Sequence, residues 1–105
     1  MPLVGKSLDA VTVSGPGSVL AFDKPMPFLS MQVQSTGSPT YNCILEISLD
    51  GVNFFAGNAG GASDNLYAMS FSGGAACPVL YARAHLTTIT GGTSPTVTAI
   101  IAAAD

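Results

Sequence analysis

Charge is what this chain has least of. Of its 105 residues, 9% are Asp, Glu, Lys or Arg, where a globular domain ordinarily carries about a quarter. The basic residues are Lys6, Lys24 and Arg83, set against six acids for a net charge of −3. Three dispersed cations make no basic patch, which argues against nucleic acid and against an anionic membrane surface as partners. No run approaches the ~18 consecutive apolar residues of a membrane span. Tryptophan is absent, and His85 is the single histidine. The opening MPLVGKSLDA has neither a charged n-region nor an apolar h-region. No signal peptide is therefore expected, and the protein is expected to act where it is made or in a particle assembled there.

Low charge with few apolar residues would mean disorder, but the apolar fraction is 48%, so a folded core is expected. The length fits one domain, residues 1–105, burying roughly two-thirds of the surface of its unfolded chain. Its polar surface must come mainly from Ser, Thr, Asn, Gln and backbone. Such a surface lacks the charge that keeps free monomers apart, and part of it is expected to be covered by other protein.

Twelve glycines and seven prolines punctuate the chain evenly. The segments between are short and rich in β-branched and aromatic residues, and none shows a sustained helical period. This predicts an all-β fold: a single antiparallel sandwich, Ig-like or jelly-roll-like, of seven to eight short strands. Strands are expected near residues 7–13, 18–22, 28–35, 41–49, 52–57, 66–72, 79–89 and 96–103. Leu29, Met31 and Val33 should share one face; so should Tyr41, Cys43, Leu45, Ile47 and Leu49; so should Leu80, Ala82, Ala84 and Leu86. Asp50-Gly51 fits a tight hairpin turn with both residues at positive φ. Residues 58–65 (NAGGASDN) read as a loop. The stretches STGSPTYNCILEI and TGGTSPTVTAIIA echo one another, which reused turn chemistry accounts for.

Residues that could carry chemistry are few. Cys43 and Cys77 fit two buried thiols or one disulfide, and with one histidine they do not complete a zinc site without a carboxylate. Asp9, Asp23, Asp50 and Asp64 scatter among turns without the Asp-x-Asp spacing of a calcium loop. GNAGGAS and SGPGS lack the lysine and strand-to-helix setting of a phosphate loop. His85 has no Ser or Cys partner nearby in sequence. Arg83 sits mid-strand between Tyr81 and His85 and fits a structural ion pair or an interface contact. No catalytic, cofactor-binding or metal residues are therefore assigned, and no enzyme activity is expected. For carbohydrate binding the candidate aromatics are Tyr41, Phe54, Phe55 and Tyr67.

LEISLDGVNFFA, followed by LYARAHLTTITGGTSPTVTAIIAA, resembles a pattern in small structural proteins of tailed-bacteriophage particles. There a strand ending Ser-Leu-Asp-Gly-x-x-aromatic precedes one reading Tyr-x-Arg-Ala-x-Leu, a Gly-rich Ser-Pro turn and a last strand. Residues 43–55 and 80–101 carry the likeness. A Trp often stands in those proteins where Phe54 or Phe55 stands here. The resemblance implies a virion structural protein, foremost a capsid decoration (cement) protein on the outer face of the head. The alternative it implies is a tail or fibre accessory that binds carbohydrate or the host surface. The implied partners are the major capsid protein or other virion proteins and further copies of the chain, as a trimer at a capsid threefold position. The implied location is the virion, assembled in the host cytoplasm.

Overall fold

The computed structural model describes residues 3–62, 66–72 and 79–104, and among them all regular structure is β. Nine strands follow in order: β1 (Leu3–Val11), β2 (Gly15–Pro16), β3 (Leu20–Met26), β4 (Phe28–Thr36), β5 (Thr40–Ser48), β6 (Phe55–Ala62), β7 (Leu66–Ser72), β8 (Val79–Thr90) and β9 (Thr96–Ala104). Every pairing is antiparallel. One sheet, A, runs β1-β9-β4-β7; the other, B, runs β2-β8-β5-β6, with β3 also on β8.

β2 and β3 pair with successive stretches of β8, at His85–Leu86 and at Val79–Ala82. They act as one strand interrupted at residues 17–19. Counted so, the strand orders become 1-8-3-6 and 2-7-4-5, the double-sheet arrangement of a jelly roll. Consecutive β4 and β5 lie in opposite sheets, as do β8 and β9. The all-β sandwich is thus present, and its order is the jelly-roll alternative rather than the immunoglobulin one.

The inward positions follow the period of two. Leu29, Met31 and Val33 of β4, Tyr41, Cys43, Leu45 and Ile47 of β5, and Val97, Ala99 and Ile101 of β9 are all buried. β8 contributes Ala82, Ala84 and Leu86. Small residues on β8 and β9 leave room for the larger side chains of β4 and β5, which fits close packing across a sandwich interior.

Hydrogen bonds across the sheets close both flanks. Ser7 of β1 is buried; its Oγ accepts from Ala84 N at 2.7 Å and donates to Ser18 O at 2.8 Å. Ser18 N donates to Ser7 O, and Gly17 N to Ala84 O, each at 2.7 Å. This strap leaves no space at Gly17, where a Cβ would strike the Ser7 carbonyl oxygen. On the other flank, Asn58 Nδ2 of β6 donates to Ser70 O of β7 at 2.7 Å.

The echoed segments meet in space. Residues 37–39 carry the chain from sheet A to sheet B, and residues 91–95 carry it back. Ser38 and Ser94, each followed by proline, have matching φ values of 56° and 47°. Thr93 N donates to Gly37 O at 2.9 Å, and Thr36 Oγ1 lies 2.6 Å from Thr96 Oγ1. The two corners are thus joined to one another by backbone and side-chain contacts.

Several expectations are corrected. β1 begins at Leu3, before the expected residue 7, and β6 continues through residues 58–62, which the sequence reads as loop. An edge strand needs only backbone to pair with β5, so glycine and alanine suffice there. The expected tight hairpin is a six-residue connection, 49–54, and only Gly51 of its Asp-Gly pair has positive φ, at 76°. Leu49 is exposed because Ser48 turns inward as β5 ends. Leu80 is half-buried and Val79 takes the core position, where the pairing with β3 shifts register. Cys43 is a buried free thiol, while Cys77 and the turn at 73–78 lie outside the described residues.

Candidate functional site

Two outward sheet faces are available, and their chemistry differs. On sheet B, the alternation that buries Ala82, Ala84 and Leu86 turns Tyr81, Arg83, His85 and Thr87 outward. On β5 it turns out Asn42, Ile44 and Glu46. The register sets Glu46 opposite Arg83 and Ile44 opposite His85. Glu46 is thereby shared. Arg83 Nε donates to its Oε1 at 2.7 Å, and His85 Nδ1 lies 3.2 Å from its Oε2. Side-chain exposure is 23% for Arg83, 13% for Glu46 and 30% for His85, so the cluster is half-sunk in the face.

Phe54 backs this cluster, with the Arg83 Cζ 4.0 Å from its ring centroid. A cation so placed is held by the ring's quadrupole as well as by the carboxylate. Further along the strands, Asn42 Nδ2 donates to Thr87 Oγ1 at 2.9 Å, and Thr87 Oγ1 donates to Asn42 O at 3.1 Å.

The turn carrying Phe54 is fixed by Asp50. Its Oδ1 accepts from Val52 N at 2.9 Å, Asn53 N at 2.8 Å and Ser48 Oγ at 2.9 Å; its Oδ2 accepts from Asn53 Nδ2 at 2.9 Å. The Asn53 and Val52 backbone amides, then the Asn53 and Ser48 side chains, hold its carboxyl well below the usual carboxylate range. Beneath the sheet B face, burial pushes the Cys43 thiol up to about 12, against a backbone hydrogen bond from His85 that lowers it, with the Glu46 charge adding to the rise.

Sheet A presents the contrasting face. β4 turns out Phe28, Ser30, Gln32 and Gln34, β9 Thr98, Ile100, Ala102 and Ala104, and β7 Leu66, Ala68 and Ser70. Among the described residues of this sheet the charges are Lys6 and Asp9, a 3.5 Å pair on the β1 edge.

The sequence candidates are dispersed. Tyr41 is buried, with Tyr67 6.0 Å away between ring centroids, so both belong to the core region. Phe55 is exposed at the start of β6, and Phe54 lies under Arg83. Asp9 pairs with Lys6, Asp23 is exposed on β3, Asp50 ties its turn, and Asp64 lies outside the described residues. Among the described residues, no three His, Cys, Asp or Glu side chains converge as metal ligands would. The residue missed in the sequence is Glu46. Its signal was available, because it sits on the outward face of the best-alternating strand.

No family model matches the chain, and no curated protein matches it. Among solved structures it is similar to the SPBc2 prophage-derived protein YomS, with a TM-score of 0.66 and 14% identity, covering 98% of this chain and 92% of that one. It is also similar to CBM29_1, a family 29 carbohydrate-binding module from Piromyces equi, with a TM-score of 0.50 and 8% identity, covering 98% and 91%. At these identities the likeness establishes the β-sandwich fold and leaves role open.

Proposed function

We propose that this chain is a non-catalytic virion structural protein, a capsid decoration protein that docks on the outer face of a tailed-phage head. The observation that carries the proposal is the sheet A face: four strands wide, built of Ser, Gln, Thr, Ala and a few large apolar residues, with charge confined to one edge pair. Such a face can be covered without stranding buried charges. The sequence pattern of residues 43–55 and 80–101 supports the phage setting, and so does the structural likeness to a prophage-derived protein. Self-association as a trimer at capsid threefold positions belongs to the same reading, with the major capsid protein as partner and the virion as location.

The test mixes purified protein with shells that lack it, at low and high salt, and pellets them. Saturable binding at fixed copy number, little changed by salt, is expected, because the face holds no charge array for ions to screen. Failure to co-sediment at either salt sinks the proposal. A second reading, recognition of carbohydrate on the host surface, is supported by a different observation: the aromatic-backed Arg83–Glu46–His85 cluster on the opposite face.

A further inference from the structure

We infer that the outward face of sheet B is a binding site for a neutral glycan chain, with Arg83 as its principal donor and His85, Asn42 and Thr87 extending it along the strands. The inference deepens the carbohydrate reading and rests on it, independently of the capsid proposal.

The state of Arg83 is the starting point. Its guanidinium is fixed from two sides, by the Phe54 ring and by Glu46 through Nε. Among the described residues that carboxylate is its hydrogen-bond partner, so Nη1 and Nη2 remain to be satisfied from outside. A donor fork held in place loses little freedom on binding, which is the physical content of preorganisation. His85 stands two residues along the same strand, about 7 Å away, with Nδ1 turned to Glu46. Nε2 is then left for a ligand hydroxyl, which can either accept from it or donate to it. Polar groups of Arg83 and His85 thus follow one another along the outward face of β8.

Charge and shape then select the ligand. Arg83 is neutralised by Glu46 at 2.7 Å. An anion approaching the fork meets that carboxylate, and a cation approaching the carboxylate meets the fork. A hydroxyl both donates and accepts, so a polyhydroxylated neutral ligand suits the pattern without bringing charge. The residues lie on an open sheet face, whereas small-molecule sites are concave. A chain laid along β5 and β8, adding weak contacts from Arg83 to the Asn42–Thr87 pair, fits such a face.

The test uses the full chain on an array of neutral and acidic glycans, with Arg83→Lys and Phe54→Leu beside wild type. Arg83→Lys keeps a cation against Glu46 but removes the planar fork. Wild type should be retained on neutral glycans, and Arg83→Lys should bind about tenfold more weakly with its unfolding midpoint unchanged. If Arg83→Lys does not fold, the same weakening in Phe54→Leu serves in its place. Wild type that holds no neutral glycan, or prefers acidic ones, overturns the inference. Pelleting with shells separates it from the capsid proposal. Both variants should co-sediment as wild type does, and a loss of shell binding without a loss of glycan binding would make sheet B the particle contact instead.

Discussion

The outward faces of sheets A and B stand on one core and obey one alternation, yet they present opposite chemistry. Sheet A shows amides, hydroxyls and alanines, with its charges paired at the β1 edge. Sheet B gathers a guanidinium, a carboxylate, an imidazole and an aromatic ring into one connected cluster. The jelly roll dictates which residues point outward and says nothing about what they are. The difference between the faces is therefore where function is to be sought. A face whose charges are confined to one edge is suited to being covered, and a face with fixed donors is suited to recognition.

The largest expected effect breaks both faces together. Leu45 is fully buried on β5, the strand that also carries Glu46 outward. Leu45→Ala should cost about 2–5 kcal/mol through lost transfer energy and a residual cavity. Urea unfolding measures it, and a cost under ~0.5 kcal/mol would contradict the burial of that side chain.

Next comes a change confined to the sheet B side. Gly51 has φ 76°, and a Cβ there would lie 3.2 Å from the Tyr81 ring. Gly51→Val should cost about 1–3 kcal/mol, since a β-branched residue is strained in the left-handed region and also displaces Tyr81. It should weaken glycan retention more than shell binding, because the turn it distorts carries Phe54. An unchanged thermal midpoint would show that the turn tolerates a side chain.

These two sites also mark what could be read in advance. The β5 alternation from Tyr41 to Leu49 was legible because five apolar residues in period two admit one placement, and four of them, Tyr41 to Ile47, are buried. Leu49 broke the pattern because the chain leaves the sheet after Ser48, whose Oγ accepts from Asp50 N at 3.2 Å and Gly51 N at 2.9 Å. Hydrogen bonding of a turn is not encoded in hydrophobic period. The same holds for residues 58–62, where edge pairing asks nothing of side chains. The Arg83–Glu46–His85 cluster was half legible: Arg83 and His85 stood out by rarity, whereas the bridging role of Glu46 depends on the β5–β8 register, which the sequence of either strand alone does not contain.

Acid and base act on different parts of the molecule. The folded pKa of Asp50 lies below its unfolded value of about 3.9. Its stabilising contribution is thus complete above that pH and lost as pH falls through the lower folded value. The stability gap between wild type and Asp50→Asn should narrow below about pH 4. Cys43 runs the other way. Its folded value of about 12 exceeds the unfolded one. Its contribution is full below about pH 8.5 and declines as pH rises toward the folded value. Cys43→Ala should flatten that alkaline decline. Stability profiles of the two variants that parallel wild type would remove both assignments.

The smallest effect on stability is expected on sheet A, and it tests the division most sharply. Gln32 points outward from β4, between Ile100 of β9 and Ala68 of β7. Its Nε2 donates to Gln34 Oε1 at 3.2 Å. Gln32→Glu preserves size and shape, and Gln34 can turn its amide to donate to the new carboxylate. The change in stability should stay within about 0.5 kcal/mol, as for surface substitutions generally. It nevertheless places a negative charge in the middle of a face that otherwise carries charge only at its edge. If that face docks on a shell, the carboxylate must be desolvated without a partner, which is costly at any interface. Shell co-sedimentation should therefore fall about tenfold or more, while glycan retention on sheet B is unaffected. A Gln32→Glu protein that pellets with shells as wild type does would place the docking surface elsewhere on the sandwich.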